Sequence, residues 1–184
     1  CALDTFRMVI FFPLFIFIAI LICGGIYIDK TSKPKMPTKF TASGGNMDKV
    51  EFQNYGPAPE FKGINHWLNT EPLTIESLKG KVVLVDFWTY SCINCIRTLP
   101  YVTKWYDSYK EQGLVVVGVH TPEFAFEKVT DNVKTAITNF KIHYPVAQIN
   151  DLGTWKNYSI QYLPADSFIV RKGNILYVNF GEGI

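Results

Sequence analysis

The chain has 184 residues, a formal net charge of +2, a hydrophobic fraction of 48% and 4 cysteines. That length suits one domain with an appendage. The near-balanced charge, with no basic cluster among the aromatic residues, argues against a polyanionic partner and excludes a nucleic-acid-binding reading.

The hydrophobic content is concentrated at one end. Residues 8–28, MVIFFPLFIFIAILICGGIYI, run for 21 positions without a charge. As a helix this stretch is about 31 Å long, which matches a bilayer core of roughly 30 Å. Pro13 falls in its first turns, where proline costs least. A cleaved signal peptide would carry an apolar region of about 7–15 residues and a small-residue cleavage site, and the stretch shows neither. Residues 1–30 therefore read as one transmembrane anchor, with Cys23 an inert apolar residue inside it. Residues 31–49 are rich in Lys, Pro, Thr, Ser and Gly and read as a linker, extended at Pro34 and Pro37. Residues 50–184 are left as the folded domain.

Within that domain, residues 64–68 and 73–75 are expected to form a small hairpin, with His66 and Trp67 as surface or packing residues. Residues 75–78, followed by Lys79-Gly80, read as a short helical turn closed by glycine. Residues 82–85 are a continuous aliphatic, mostly β-branched run, the pattern of a strand covered on both faces. From Ile93 the spacing changes: Ile93, Ile96, Leu99, Val102, Tyr106 and Tyr109 recur at threes and fours, as on an amphipathic helix. Cys92 and Cys95 thus stand where strand gives way to helix. There the first backbone N–H groups lack partners and the helix dipole favours a thiolate. At i and i+3 the two sulfurs share a face, with Cys92 at the tip and Cys95 one turn in. Such a pair can attack a disulfide with the outer sulfur and release it with the inner one.

Leu114–His120 is the second buried strand, parallel to the first because a helix connects them. His120 then falls on the same sheet edge as Cys92. Thr121-Pro122-Glu123 reads as a helix start, and His120 and Glu123 are candidates to line a substrate groove. Phe126, Val129, Val133, Ala136, Ile137 and Phe140 form an apolar helical stripe, read as core. Residues 144–149 suit a strand, residues 155–160 a helical turn, and residues 167–170 with 175–180 a hairpin around Arg171-Lys172-Gly173-Asn174.

The stretch VDFWTYSCINC resembles the signature of the thioredoxin superfamily. The closer likeness is to the TlpA/ResA/DipZ branch of membrane-tethered oxidoreductases. FWTYSCINC, VGVHTPEFAFEK, GPAPEF and LKGKVVLVDFW are the DipZ-like stretches, and the resemblance runs from about Phe52 to the end. Ile-Asn between the cysteines departs from the thioredoxin Gly-Pro. The resemblance implies an α/β thioredoxin-like fold, with a mixed central sheet flanked by helices. It makes Cys92 and Cys95 the redox pair and Asp86, six residues before Cys92, a buried acid that deprotonates the inner cysteine. Pro100 takes the place of the helix proline and Pro164 that of the cis-proline. Trp88 is expected as a flat wall beside the cysteines, and Leu163-Pro164 as the segment that receives an extended partner.

The expected activity is thiol–disulfide oxidoreduction, in the reducing direction, on protein disulfides or thiols. No cofactor or metal is called for. The expected partners are those proteins, the membrane and a CcdA/DsbD-like transmembrane electron donor. Lys30, Lys33, Lys35 and Lys39 follow the apolar run while Arg7 alone precedes it. By charge alone that places the linker in the cytoplasm; the resemblance places the domain outside, in a periplasmic or extracytoplasmic space, and an upstream domain can override the charge bias. The full fold normally ends in one more helix, which is expected to be missing from this chain. Three other readings stay open. Thr89 three before Cys92 suits a thiol peroxidase, although Val85 stands where a peroxiredoxin carries proline. CxxC can also supply two zinc ligands, or form a structural disulfide in a non-catalytic domain.

Overall fold

The computed structural model describes residues 53–182. The expected anchor and linker, and any helix beyond the last strand, lie outside those residues; no described helix is long and apolar enough to cross a membrane. Six strands, β1 (Ile64–Leu68), β2 (Val82–Trp88), β3 (Leu114–His120), β4 (Val146–Ile149), β5 (Ala165–Ile169) and β6 (Ile175–Phe180), form one sheet in the order β1-β4-β3-β2-β5-β6. β2, β3 and β4 are parallel, and β1, β5 and β6 join antiparallel to their neighbours. Helices α1 (Ile93–Tyr109), α2 (Thr130–Asn139) and α3 (Gly153–Asn157) complete the mixed thioredoxin-like α/β fold.

The central strands form where the β-branched runs predict them. β2 and β3 pair in register from Val82↔Leu114 to Trp88↔His120, with α1 as the crossover that parallel pairing requires. Gly113, at φ 93°, takes the left-handed turn that returns the chain into β3. Alternation along β2 divides the core. Val83, Val85 and Phe87 pack with Phe61, Tyr158 and Ile160 on one face. Leu84 and Trp88 pack with Cys95, Leu99 and Val102 of α1 on the other. Asp86 shares the α1 face by the same period of two.

Three local expectations are corrected. β1 does not form a hairpin with residues 73–75; it pairs antiparallel with β4, from Ile64↔Ile149 to Leu68↔Val146. Thr121 does not cap a helix. It is buried, its hydroxyl donates to the Val119 carbonyl at 3.3 Å, and the chain makes only a 3-10 turn at Ala125–Lys128 before α2 begins at Thr130. The cause is Glu127, whose carboxylate accepts from the backbone N–H groups of Glu123 and Phe124 and holds residues 123–124 in a loop. The apolar stripe shortens with it: Val133, Ala136 and Ile137 are buried on α2, while Phe126 and Val129 are 51% and 50% exposed.

The hairpin of β5 and β6 forms as its turn residues predict. Beside it, Leu84, Trp105, Tyr109 and Phe168 line an open cavity of about 460 Å³.

Candidate active site

Cys92 is the N-cap residue of α1, with extended backbone (φ −73°, ψ 113°), and its sulfur accepts from the Cys95 N–H at 3.5 Å. Both cysteines are free thiols; Cys92 is half-buried and Cys95 is fully buried. The strand-to-helix junction thus gives the two sulfurs different access to a partner. Burial first, and then the neighbouring Cys92 sulfur, push the Cys95 thiol up; the Asp86 charge adds to this, and a backbone hydrogen bond at Thr89 opposes it. Attack by Cys95 therefore calls for a nearby group to take its proton.

Asp86 lies beneath the pair. It is 1% exposed, and desolvation, followed by the charge of Asp166, raises its carboxyl well above the usual range, with the Tyr144 hydroxyl opposing. Asp166 was not singled out from the sequence. It is wholly buried on β5, directly opposite Asp86 in the β2–β5 ladder, and burial raises its carboxyl to about 7. Gly118, the β3 neighbour of Asp86, lets the Trp88 and Tyr144 rings close over the backbone there. A Cβ there would meet Trp88 Nε1 and Tyr144 Cε2, each at 2.9 Å.

The loop between β2 and α1 is held by a second buried acid that sequence reasoning missed. Glu127 has no exposed surface. Its carboxylate accepts from Ser91 Oγ at 2.6 Å, from the Glu123 N–H at 2.6 Å and from the Phe124 N–H at 2.9 Å. Burial alone would raise this carboxyl, but hydrogen bonds from Ser91, Thr89 and the two backbone N–H groups outweigh it and hold the carboxyl below its ordinary value. The sequence carries no full capping-box signal for it, since Phe124 at the N-cap has no side-chain acceptor and only the Glu127 half of the exchange is made.

Two expected groove residues lie elsewhere. Trp88 is not a surface wall; it has no exposed area and packs edge-on to His120 at 5.3 Å between ring centroids. His120 is also fully buried, because Tyr90 stacks over its other side at 5.5 Å and 18°. Its Nε2 lies 3.3 Å from Thr89 Oγ1, and burial lowers its pKa to about 4, so the ring is neutral at pH 7. Glu123 is exposed, and its backbone N–H, rather than its carboxylate, is what the site uses.

The Leu163-Pro164 bond is cis. Pro164 is buried at the start of β5, where Ala165 pairs with Phe87 near the end of β2. Leu163 is half-buried in the cluster that includes Cys92 and Cys95. The Pro164 carbonyl accepts from the Gly181 N–H at 2.9 Å. Tyr162, two residues before Pro164, is 56% exposed and packs on Phe180.

A thioredoxin-type sheet with a dithiol at the head of the helix after β2, one sulfur accessible and the other buried, defines the class: thiol–disulfide oxidoreductases acting through a CxxC pair. The Redoxin family model matches residues 54–184, and the chain belongs to that family, among its DsbE/ResA/TlpA/DipZ-like members. The chain is 51% identical over 137 residues to Protein DipZ of Mycobacterium bovis, a match that covers 73% of this chain and 20% of that protein's length. It is 27% identical over 135 residues to the thiol-disulfide oxidoreductase ResA of Bacillus cereus, covering 73% of this chain and 74% of ResA. Among solved structures, a thiol-disulfide isomerase from Corynebacterium glutamicum superposes with a TM-score of 0.62 at 29% identity, over 69% of this chain and 88% of that one.

Proposed function

We propose that this domain reduces disulfides of other proteins in an extracytoplasmic space while tethered to the membrane by residues 1–30 through the linker 31–49, with residues 50–184 as the catalytic domain. The carrying observation is the asymmetry of the dithiol: Cys92 half-buried at the helix cap, Cys95 buried with its thiol pushed up. Cys92 attacks a substrate disulfide, so that one substrate sulfur leaves and a mixed disulfide remains. Cys95 then gives its proton to Asp86 and attacks the Cys92 sulfur. The intramolecular disulfide forms, and the second substrate sulfur departs with the electron pair as a thiolate. The substrate gains two electrons and the cysteine pair loses two.

Leu163 and Pro164 form the wall against which an extended partner segment lies. The Pro164 carbonyl is already engaged by Gly181, so the backbone open to strand-like pairing is that of Tyr162 and Leu163. Glu123, exposed on the loop that Glu127 ties to Ser91, is a further candidate for contact with the partner. Trp88 and His120 support it from below and touch no partner, since neither has exposed area.

The reducing direction is supported by the residues between the cysteines, Ile93 and Asn94, which add no charge to stabilise a thiolate. A CcdA/DsbD-like membrane protein is the electron donor that the DipZ resemblance suggests. The test is the reduction potential of the Cys92/Cys95 couple in glutathione or dithiothreitol buffers. A value near the thioredoxin figure of about −270 mV is expected; a value more oxidising than the protein disulfide isomerase figure of about −180 mV would reverse the direction.

A further inference from the structure

The acid that acts on the resolving thiol, Asp86, has a second buried carboxyl opposite it, where the proposed mechanism uses one. Asp86 and Asp166 are Cα partners in the antiparallel β2–β5 ladder. Directly opposed residues project to the same face with their Cβ atoms about 4.5–5.5 Å apart. Exposure is 1% for Asp86 and 0% for Asp166. None of the four carboxyl oxygens has a hydrogen-bond partner among the described residues. Two ionised carboxylates cannot persist there: like charges at that separation, desolvated and opposed by no more than the nearby Tyr144 hydroxyl, drive a proton onto the pair.

Among the described residues, no cation is found around the pair to relieve it. From α1 the titratable group facing the pair is Cys95, near enough for the Asp86 charge to act on its thiol. From the segment before β4 it is the buried Tyr144 hydroxyl, which senses both carboxyls. From β3 the facing residue is Gly118, with His120, neutral at pH 7, two positions along. The β5 neighbours of Asp166 are Ala165 and Ser167, and its β6 partner is Asn179. No lysine or arginine is among these groups.

We propose that Asp166 is a positioning residue that shares one proton with Asp86 beneath Cys95, so that the two carboxyls act as a single acceptor and together decide when the inner thiol can give up its proton. This deepens the proposed reaction and rests on the reading that Asp86 takes the Cys95 proton. The single proton exchanges between the two carboxyls, and the state that accepts from Cys95 is the one in which it sits on Asp166 and leaves Asp86 ionised. As the Cys95–Cys92 bond forms and the Cys92–substrate bond breaks, the Cys95 proton passes to Asp86 and both carboxyls become neutral. The leaving substrate thiolate takes its own proton from water. The pair returns to one proton by losing the second to solvent. A pair that already carries two protons has no acceptor, so resolution slows in acid.

The experiment measures the rate of mixed-disulfide resolution against pH, in single turnover with a disulfide-bonded peptide, for the parent protein, Asp166→Asn and Asp86→Asn. Asp166→Asn removes the like charge, so Asp86 ionises more readily and the acid limb should move at least about one pH unit lower, a tenfold faster resolution on that limb. Asp86→Asn should abolish the limb. If Asp166→Asn leaves the limb in place while Asp86→Asn abolishes it, proton sharing is wrong and the Asp86 reading stands. If Asp86→Asn leaves the profile unchanged, the Asp86 reading itself is wrong and the sharing falls with it. A second readout needs no variant. NMR titration of the carboxyl carbons should show both residues responding in the same two macroscopic steps; two independent one-step curves would overturn the proposal.

Discussion

Ser91 donates its hydroxyl to Glu127 at 2.6 Å across 36 residues of sequence, joining the residue just before Cys92 to the 3-10 turn that follows β3. The same carboxylate takes two backbone N–H groups from the loop at Glu123 and Phe124. The cap of α1 is therefore fixed by an acid outside the CxxC motif.

Glu127→Ala should leave those donors unsatisfied in a buried place. We expect a loss of about 2–4 kcal/mol in chemical denaturation, with Glu127→Gln milder. The carboxyl is held below its ordinary value, so its contribution is present above the unfolded-state pKa and is lost as the pH falls through the folded one. Glu127→Gln should flatten that acid limb of the stability curve.

The carboxyl pair has the opposite sign. Burial raises Asp166 from 3.8 to about 7, so protons favour the native state. The stabilisation is full below the unfolded value and is lost as the pH rises through about 7. Asp166→Asn should therefore be more stable than the parent at pH 8, by an amount on the order of 2–4 kcal/mol, and the two should converge in acid. Urea denaturation at several pH values checks this.

His120 is held neutral by burial, with its pKa lowered to about 4. Its ring resonances should show no titration between pH 8 and pH 5. A midpoint near the ordinary value of 6.5 would mean that Tyr90 does not cover it.

Gly118→Ala should be costly. The new methyl would lie 2.9 Å from both Trp88 Nε1 and Tyr144 Cε2, and both rings are wholly buried. We expect a loss of about 1–3 kcal/mol from overpacking, read as a lower denaturation midpoint.

Much of this arrangement is legible in the sequence, and the rest is hidden for identifiable reasons. The runs at Val82–Trp88 and Leu114–His120 announce buried strands because β-branched residues fill both faces, and the apolar spacing switches to threes and fours after Cys92. The turn at Arg171-Lys172-Gly173-Asn174 marks its own hairpin. Pairing of β1 with β4 is invisible because it joins segments about 80 residues apart, from Ile64 to Ile149. Asp166 is hidden for the same reason: only the β2–β5 register sets it against Asp86. Thr121-Pro122 carries helix-start chemistry, but the buried Glu127 takes the backbone donors and delays the helix. His120 looks like an edge residue until Tyr90 is seen to stack on it, and Trp88 until it is seen in the core with Cys95, Leu99 and Val102 of α1.

The most direct test of the dithiol mechanism is capture of the mixed disulfide. Cys95→Ala protein mixed with a disulfide-bonded peptide should retain the peptide through Cys92, mapped by mass spectrometry, while Cys92→Ala should retain none. An adduct that forms without Cys92, or none at all with Cys95→Ala, would contradict the account.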